Sequence, residues 1–599
     1  MNGMSEPLAA ARALLAEDPD PETRAELEAL VGRAEAGDEA ARRDLADRMS
    51  GPLEFGTAGL RGRVEAGLSR MNRLAVVKAT WGLGSHLLAE AVRGGPDPRS
   101  HGVVVAFDGR HSSRRFAEDA TAVLNGLGIP VRLFPDPVPT PLLSFSVPHL
   151  GAAAGLTVTA SHNPPRDNGY KVYLSSGAQL VPPVDAAIAA RIAAAPRAAA
   201  IRRPPPADAA AHGLRLLLDV EDTAVEEAYL GGLAEGALHR GVAAPLRIAY
   251  TAMHGVGHRL AVRALARSGF DGVAAEPSQA DPDGAFRTVS FPNPEEPGAM
   301  DRVLALAAET GAELVLANDP DADRLAAAVP DPSGRGYRML SGNETGVLLA
   351  DDAIEHAATG GRKRLVVTTV VSSSLLSRMA RDRGVACRET LTGFKWIVDE
   401  ALRGEKEGLA FVFGYEEALG YTMGSLVRDK DGIGAALRLA ELARFLKTGG
   451  QTLLDRLDDL LVAHGLCHQV QWSVVLPGAE GRARIDAAMA QLRASPLGRI
   501  GASPVVRVLD AAQGEERVRG ERRPSGLPPS DVLAFQSEDG ARLTVRPSGT
   551  EPKIKFYLEL VGQARDRREV APARARLEAE GQALRSALTR ELKLGSPGA

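Results

Sequence analysis

The chain has 599 residues, several times the ~100 to 150 typical of one domain, so two to four domains are expected. Hydrophobic residues make up 44% and charged residues 25%, which supports large cores and excludes general disorder. Lys and Arg total 71 against 76 Asp and Glu, a formal charge of −5, so no chain-wide basic field exists for nucleic acid or an anionic membrane. Any anionic ligand must be gripped locally.

Residues 6–50 carry a helical pattern that ends at Met49-Ser50-Gly51-Pro52, an extension laid on the first domain. No apolar run approaches the ~20 residues of a membrane helix, and the opening residues carry acids where a signal peptide has basic ones. A cytoplasmic, reduced protein is expected. Cys387 and Cys467 are far apart with no CxxC spacing, so they are expected as two small buried side chains, with neither a disulfide nor a zinc site.

From 101 strands alternate with helices: HGVVVAFDG, SRRFAEDATAVLNGLG, IPVRLFP and AAGLTVTAS. This alternation predicts βαβ units and a parallel sheet. An Ala/Pro/Arg-rich stretch at 185–213 interrupts it as a helix and loop. A second α/β set follows, with strands in LRIAYTAMHG, VAAEPS and ELVLAND, a helix from Gly257 and a helix over EEPGAMDRVLALAAETG. The third runs from RLVVTTVVSS through LAFVFGYEEA to a helix from Asp431. After about 450 the pattern becomes α+β with antiparallel pairing: a helix, the strand HQVQWSVVL, a helix, the strands DVLAFQS, RLTVRPS and IKFYLELVG, and a closing helix.

Four motifs carry chemistry. TASHNPPRDNGYKVY (159–173) starts where a buried strand ends, the place where open sheets form ligand crevices. A hydrolase triad fits poorly there, because the Gly-x-Ser-x-Gly elbow is absent and a histidine next in sequence is not expected to turn its ring onto the Ser161 hydroxyl. In ANDPDADR (317–324), Asp319, Asp321 and Asp323 can converge on one hard cation. An EF-hand loop is excluded, since Arg324 and Pro330 stand where Gly and Glu are needed. Three uncompensated anions at a strand end repel strongly, which favours a metal at the surface of a cleft. RPSGTEPKIKFYLE (546–559) has a guanidinium, hydroxyls and Gly549, the composition of a phosphate cradle or of a hairpin turn. GYEEALGY (414–421) puts Glu416 and Glu417 after a strand, where carboxylates can accept hydrogen bonds from sugar hydroxyls. Arg61 sits in the glycine-punctuated EFGTAGLRGR, which lacks the ending of a nucleotide-binding P-loop.

With these motifs in this order, the chain resembles the α-D-phosphohexomutase superfamily from about Leu8 to the C-terminal helix. EFGTAGLRG, SRMN, TAMHGVGH, FPNPEEPG, TLTGFKWI and RDKDG join the four motifs in looking most like the subgroup of phosphoglucomutase-2, phosphopentomutase and glucose-1,6-bisphosphate synthase. The resemblance implies three similar α/β domains, with mixed or parallel sheets around a central cleft, and a C-terminal α+β domain. The expected divisions are 1–225 with the serine loop, 226–340 with the metal loop, 341–450 with the sugar loop and 451–599 with the phosphate loop.

It implies further that Ser161 carries a transferable phosphoryl group and that Mg²⁺ is held by Asp319, Asp321, Asp323 and a phosphoserine oxygen. Arg61 and Arg324 would lie near the transferring phosphate, with Lys430 and His162 as acid/base candidates. An ion pair with Asp429 or Asp431 is the alternative for Lys430. Thr392, Gly393 and Glu416 would face the sugar; Arg546, Ser548, Gly549 and Thr550 would grip the phosphate that stays. The expected activity moves a phosphoryl group between positions 1 and 6 of glucose phosphate through a bisphosphate, with glucose 1,6-bisphosphate as activator, in a monomer or homodimer. Pentose and mannose phosphates are alternatives, as are a metal-dependent phosphatase and an inactive sugar-phosphate-binding protein. Hexose-specific members usually have Ser two positions after the first Glu of the sugar loop; here that residue is Ala418, which opens the loop to pentose phosphates.

Overall fold

The computed structural model describes residues 4–54, 59–218, 224–548, 553–592 and 594. Its contacts divide into two compact units, 1–340 with 420–441 and 341–419 with 442–599. Among the described residues no helix is long and apolar enough to cross a membrane.

The first unit begins with three helices, Ser5–Leu15, Pro21–Glu35 and Glu39–Arg48, where the sequence showed one helical stretch. The breaks have local causes. Asp20 caps the second helix by accepting the Glu22 N–H at 3.2 Å, with Pro21 at its first position. Asp38 caps the third by accepting the Ala40 and Ala41 N–H groups. Leu27, Leu30 and Leu45 pack with Leu74, Val77 and Val123 in one cluster, so these helices belong to the core of the first α/β layer.

That layer is a six-stranded sheet. Its strands β1 (Leu60–Arg63), β2 (Val103–Phe107), β3 (Val131–Leu133), β4 (Ala154–Val158), β5 (Asp167–Leu174) and β6 (Arg215–Leu217) lie in the order β1-β5-β4-β2-β3-β6. β2 runs parallel to β3 and β4, while β5 is antiparallel to both β4 and β1. The strand–helix alternation pointed to a parallel sheet, but β5, read only as part of the serine motif, makes it mixed, as the resemblance allowed. Val103, Val105, Phe107 and Leu156 point into a core closed by helices Arg73–Val92 and Ser113–Gly126.

The second sheet holds β7 (Ile248–Thr251), β8 (Val273–Ala275), β9 (Leu314–Ala317), β10 (Ala326–Pro330) and β11 (Tyr337–Leu340), ordered β11-β10-β9-β7-β8. β7 is parallel to β8 and β9; the hairpin β10-β11 continues it antiparallel and has no counterpart in the expectations above. The preceding helix starts at Asp301, because Gly298 has a φ of +83° and makes Pro297-Gly298 a turn.

In the second unit β12 (Arg364–Thr369) lies between β13 (Ala386–Thr390) and β14 (Ala410–Glu416), all parallel. The chain then contributes β15 (Gly420–Met423) to the first unit before returning. The last sheet is antiparallel. It holds β16 (Leu466–Val475), β17 (Arg499–Ile500), β18 (Ser503–Asp510), β19 (Glu515–Val518), β20 (Glu521–Pro524), β21 (Leu533–Ser537), β22 (Arg542–Pro547) and β23 (Lys553–Gly562). β22 pairs with both β21 and β23. The closing helix Arg567–Glu591 packs on β16 and β23. The chain is therefore three α/β domains followed by an α+β domain.

Cys387 and Cys467 are free and half-buried rather than fully buried, and burial pushes both thiols up to about 12, which keeps them protonated. Because Leu45 is fully buried in the cluster it forms with helices Arg73–Val92 and Ser113–Gly126, Leu45→Ala should lower unfolding free energy by about 2 to 5 kcal/mol, measured by urea denaturation. A change within error would show the N-terminal helices to be detachable.

Candidate active site

The serine loop leaves β4 through a tight turn. Thr159 Oγ1 accepts the Ser161 N–H at 2.9 Å, and Ser161 adopts a φ of +52°. Left-handed backbone is uncommon for a residue with a side chain, and clusters where function demands it. It aims the buried Ser161 hydroxyl at Asp319, where Oγ donates to Oδ2 at 2.7 Å. It also brings His162 Nδ1 to 3.3 Å from Oγ, which corrects the expectation that an adjacent imidazole could not reach it. Burial, helped by Arg324 and Arg61, holds the His162 pKa well below the usual imidazole range, so the ring is neutral at neutral pH.

Arg110 fixes the rest of the loop. Its guanidinium donates to the carbonyls of Ser161 and Asn163 at 2.6 Å, Pro164 at 2.7 Å and Asp167 at 3.0 Å, and to the Asp108 carboxylate at 3.2 Å. Arg61, on β1 opposite Gly169, donates to Asn163 Oδ1 at 3.2 Å and keeps a buried Nε with no hydrogen-bond partner. Burial lowers the Arg61 pKa.

The acidic loop follows β9. Asp319, Asp321 and Asp323 are buried, and one oxygen from each lies within 4.8 Å of the others. They are in the interior, not at a cleft surface as expected, and they are not uncompensated. Lys171, on β5, donates to Asp321 Oδ2 at 2.7 Å and to Asp323 Oδ2 at 3.0 Å. Lys430 Nζ lies 3.1 Å from Asp323 and 3.6 Å from Asp429. The Asp429 pairing anticipated as an alternative is thus present, but inside the protein and shared with the acidic loop. Asp429 is held in turn by Tyr173 at 2.7 Å and Gln179 at 2.6 Å.

The charges sort themselves unequally. Burial and its two acidic neighbours push Asp319 well above the usual carboxylate range. Burial opposes ionisation of Asp321 too, but Lys171 and the Thr140 hydroxyl at 2.8 Å outweigh it and lower its pKa. Arg324 donates its backbone N–H to Asp319 Oδ1 at 3.0 Å, and its Nε lies 3.9 Å from Asp323 Oδ1. Its carbonyl approaches Gly432 so closely that a Cβ there would sit 2.2 Å away. Buried Oδ1 atoms of Asp321 and Asp323 have no hydrogen-bond partner. Three convergent hard-oxygen donors with two unsatisfied atoms fit a divalent cation.

The second unit carries the remaining candidates. Glu416 ends β14 and is buried with Glu417. The Glu417 carboxylate accepts from Ser372 Oγ at 3.2 Å and Thr369 Oγ1 at 3.4 Å. Burial, with Glu416 beside it, pushes the Glu417 carboxyl up to about 7. Arg546 lies on β22 opposite Lys555, 6.0 Å from the Tyr557 ring, with a buried Nε lacking a hydrogen-bond partner. Burial works against its charge, but Tyr557, Glu417 and Glu416 together raise its pKa. Thr392 and Gly393 stand separately at the head of helix Phe394–Lys406. Ser548 follows β22 and donates its N–H to the Lys553 carbonyl at 2.8 Å; Gly549 and Thr550 lie outside the described residues.

With this geometry, models of the phosphoglucomutase/phosphomannomutase family match all along the chain: α/β/α domain I over 52–198, domain II over 227–334, domain III over 341–463 and the C-terminal domain over 498–576. The chain belongs to this family. It is 39% identical over 497 residues to a Haemophilus influenzae protein named "Probable phosphomannomutase", covering 82% of this chain and 93% of that relative. It is 36% identical over 556 residues to human phosphopentomutase, covering 88% and 87%. The open form of parafusin, a Paramecium phosphoglucomutase, shares the fold with a TM-score of 0.67 over 92% of this chain and 98% of that one, at 18% identity. This phosphoglucomutase/phosphomannomutase family member is an isomerase of the phosphohexomutase type, an intramolecular phosphotransferase.

Sequence reasoning missed Arg110, Lys171 and the Tyr173–Gln179–Asp429 group. A lysine within the otherwise buried run Asn168–Tyr173 was the available signal for Lys171, since a buried ammonium requires anions.

A pH test follows from Glu417. Its carboxyl titrates near 4.5 when unfolded and at about 7 when folded, so the stability it contributes is present below pH 4.5 and lost as pH rises through 7. Glu417→Gln should make the fall in Tm across that interval shallower, corresponding to no more than about 3.5 kcal/mol. Parallel Tm profiles for wild type and variant would contradict the assignment.

Proposed function

We propose that this enzyme interconverts glucose 1-phosphate and glucose 6-phosphate through a phosphorylated Ser161 and a bisphosphate intermediate, and that it also accepts pentose 1-phosphates. The observation that carries this reading is the Ser161 hydroxyl held 2.7 Å from Asp319 within a three-carboxylate cluster. A lone serine nucleophile is poor; one among cation ligands is suited to receiving and releasing a phosphoryl group. The division of labour we assign is 1–225 for the nucleophile, 226–340 for the cation, 341–450 for the sugar and 451–599 for the retained phosphate.

Asp319, Asp321, Asp323 and an oxygen of the phosphorylated serine would hold Mg²⁺, which when bound neutralises charge on the transferring phosphoryl oxygens. In the first transfer the Ser161 Oγ–phosphorus bond breaks as the free sugar hydroxyl forms the new one. That hydroxyl loses a proton and Oγ gains one. His162 and Lys430 are the residues proposed to move those protons, His162 because its Nδ1 already lies 3.3 Å from Oγ. The bisphosphate then turns end for end, and Ser161 takes back the other phosphoryl group. Arg61 and Arg324 steady the phosphoryl oxygens. Glu416, Thr392 and Gly393 bind sugar hydroxyls; Arg546, Ser548, Gly549 and Thr550 hold the phosphate that stays. Glucose 1,6-bisphosphate is the expected activator, because it can rephosphorylate Ser161.

Ser161→Ala should abolish mutase turnover, and intact-mass measurement should find one phosphate on wild type and none on the variant. Exhaustive EDTA dialysis of wild type should remove activity that Mg²⁺ restores. Retained activity in Ser161→Ala would end the phosphoserine mechanism.

The broad sugar range rests on Ala418, whose methyl replaces a hydroxyl beside Glu416, and the phosphopentomutase relative is in keeping with it. Ala418→Ser should shift the kcat/KM ratio of glucose 1-phosphate over ribose 1-phosphate toward glucose by about two- to ten-fold, the value of one neutral hydrogen bond. Wild type without pentose activity would refute broad specificity. Turnover of mannose 1-phosphate above both would favour the mannomutase alternative.

A further inference from the structure

One side of β22 is used rung by rung. Residues 542, 544 and 546 share a face of the strand, and each meets a different part of the domain that carries the sugar loop. Arg542, buried at the start of the strand, donates to the Ser372 carbonyl and, at 2.8 Å, to Glu389 on β13; its Nε lies 3.6 Å from Glu559 on β23. Thr544 Oγ1 donates to the Val370 carbonyl at 3.1 Å. Arg546 comes last, in the electrostatic reach of Glu416 and Glu417. Ser372 closes the circuit: its carbonyl is taken by Arg542, while its hydroxyl meets the Glu417 carboxylate at 3.2 Å and receives the Glu417 N–H at 3.2 Å.

We propose that Arg542 is a positioning residue for substrate binding, a clasp that sets the spacing between the phosphate-holding Arg546 and the sugar-holding Glu416 through Ser372 and Glu389. The proposal rests on the reading of Glu416 and Arg546 as substrate contacts. The physical argument is rigidity. A planar fork satisfied on two sides by fixed acceptors locks strand and loop in one register, whereas an ammonium is a single point with no fork. A sugar phosphate gripped at both ends is sensitive to that spacing, because it satisfies both grips at once only when they are held at the right distance beforehand. An isolated phosphate ion, touching the cradle alone, is not.

The test compares Arg542→Lys, Glu389→Gln and Arg546→Ala, measuring KM and kcat for glucose 1-phosphate, competitive inhibition by inorganic phosphate, and Tm. Arg542→Lys should raise KM roughly ten-fold with kcat changed less than about two-fold, and leave the phosphate inhibition constant near wild type. Glu389→Gln, which keeps the Ser372 bond, should raise KM about three-fold and serves as the test if the lysine variant does not fold. Arg546→Ala should weaken both the substrate and inorganic phosphate. A lowered Tm with unchanged KM in Arg542→Lys and Glu389→Gln would overturn the clasp and leave a purely structural residue. Equal weakening of phosphate and substrate in Arg542→Lys would also overturn it, by making Arg542 a direct phosphate ligand. If Arg546→Ala left KM unchanged, the cradle assignment itself would fall, and a KM effect of Arg542 would then have to arise elsewhere.

Discussion

Three carboxylates held within 4.8 Å of one another and shielded from water dictate much of the first unit. At that separation each like-charged pair costs about 3 to 4 kcal/mol at an effective dielectric of 20. The fold answers with two buried ammonium groups, a threonine hydroxyl and the Ser161 hydroxyl. Lys171 comes from β5, Lys430 from the segment after β15, and Ser161 from the end of β4. Placing those three groups means placing three separate strands, so the sheet order and the acidic cluster specify one another. The cluster is satisfied only in part without a cation, as the raised pKa of Asp319 and the bare oxygens of Asp321 and Asp323 record.

The three α/β domains place their candidate residues at the same strand position. β4, β9 and β14 each run parallel beside a central strand of their layer, β2, β7 or β12. Each leads to a candidate site residue: Ser161, the aspartate triplet, or Glu416. A carboxyl strand end offers backbone groups and an open crevice, and the arrangement occurs in all three domains. A smaller device recurs as well. At the end of β7, Thr251 Oγ1 accepts the Met253 N–H at 3.0 Å and Met253 has a φ of +49°, the turn seen at Thr159-Ala160-Ser161. Thr-Ala-Ser-His and Thr-Ala-Met-His are therefore two uses of one local conformation, a likeness hidden in the sequence by the change from serine to methionine.

Legibility followed locality. Ser161, the aspartates, Glu416 and Arg546 could be singled out as candidates because each sits in a short motif beside a clear apolar strand. Their partners were not: Lys171 is 150 positions from Asp321, and only the pairing of β5 with β4 points it at the acidic loop. The triplet therefore read as uncompensated and superficial when it is neither. The hairpin of β19 and β20 escaped for a different reason. Its second strand is fully exposed and charged, with no apolar alternation, and its two-residue turn is Arg519-Gly520, both at positive φ. That geometry is ordinary for a tight hairpin, but arginine is not among the residues that announce it.

The N-terminal helices bear on how the chain is made. Their apolar face packs against Val123, Ala198 and Ile201, so about 200 residues must exist before it is covered. At synthesis rates of about 5 to 20 residues per second, the gap between making Leu45 and making Ile201 is roughly 10 to 30 s. During that interval the three-helix segment can meet Leu74, Val77 and Val123 as they are made, but the part of its face that meets Ala198 and Ile201 stays uncovered. That remaining face is completed only when the end of the first domain has been made.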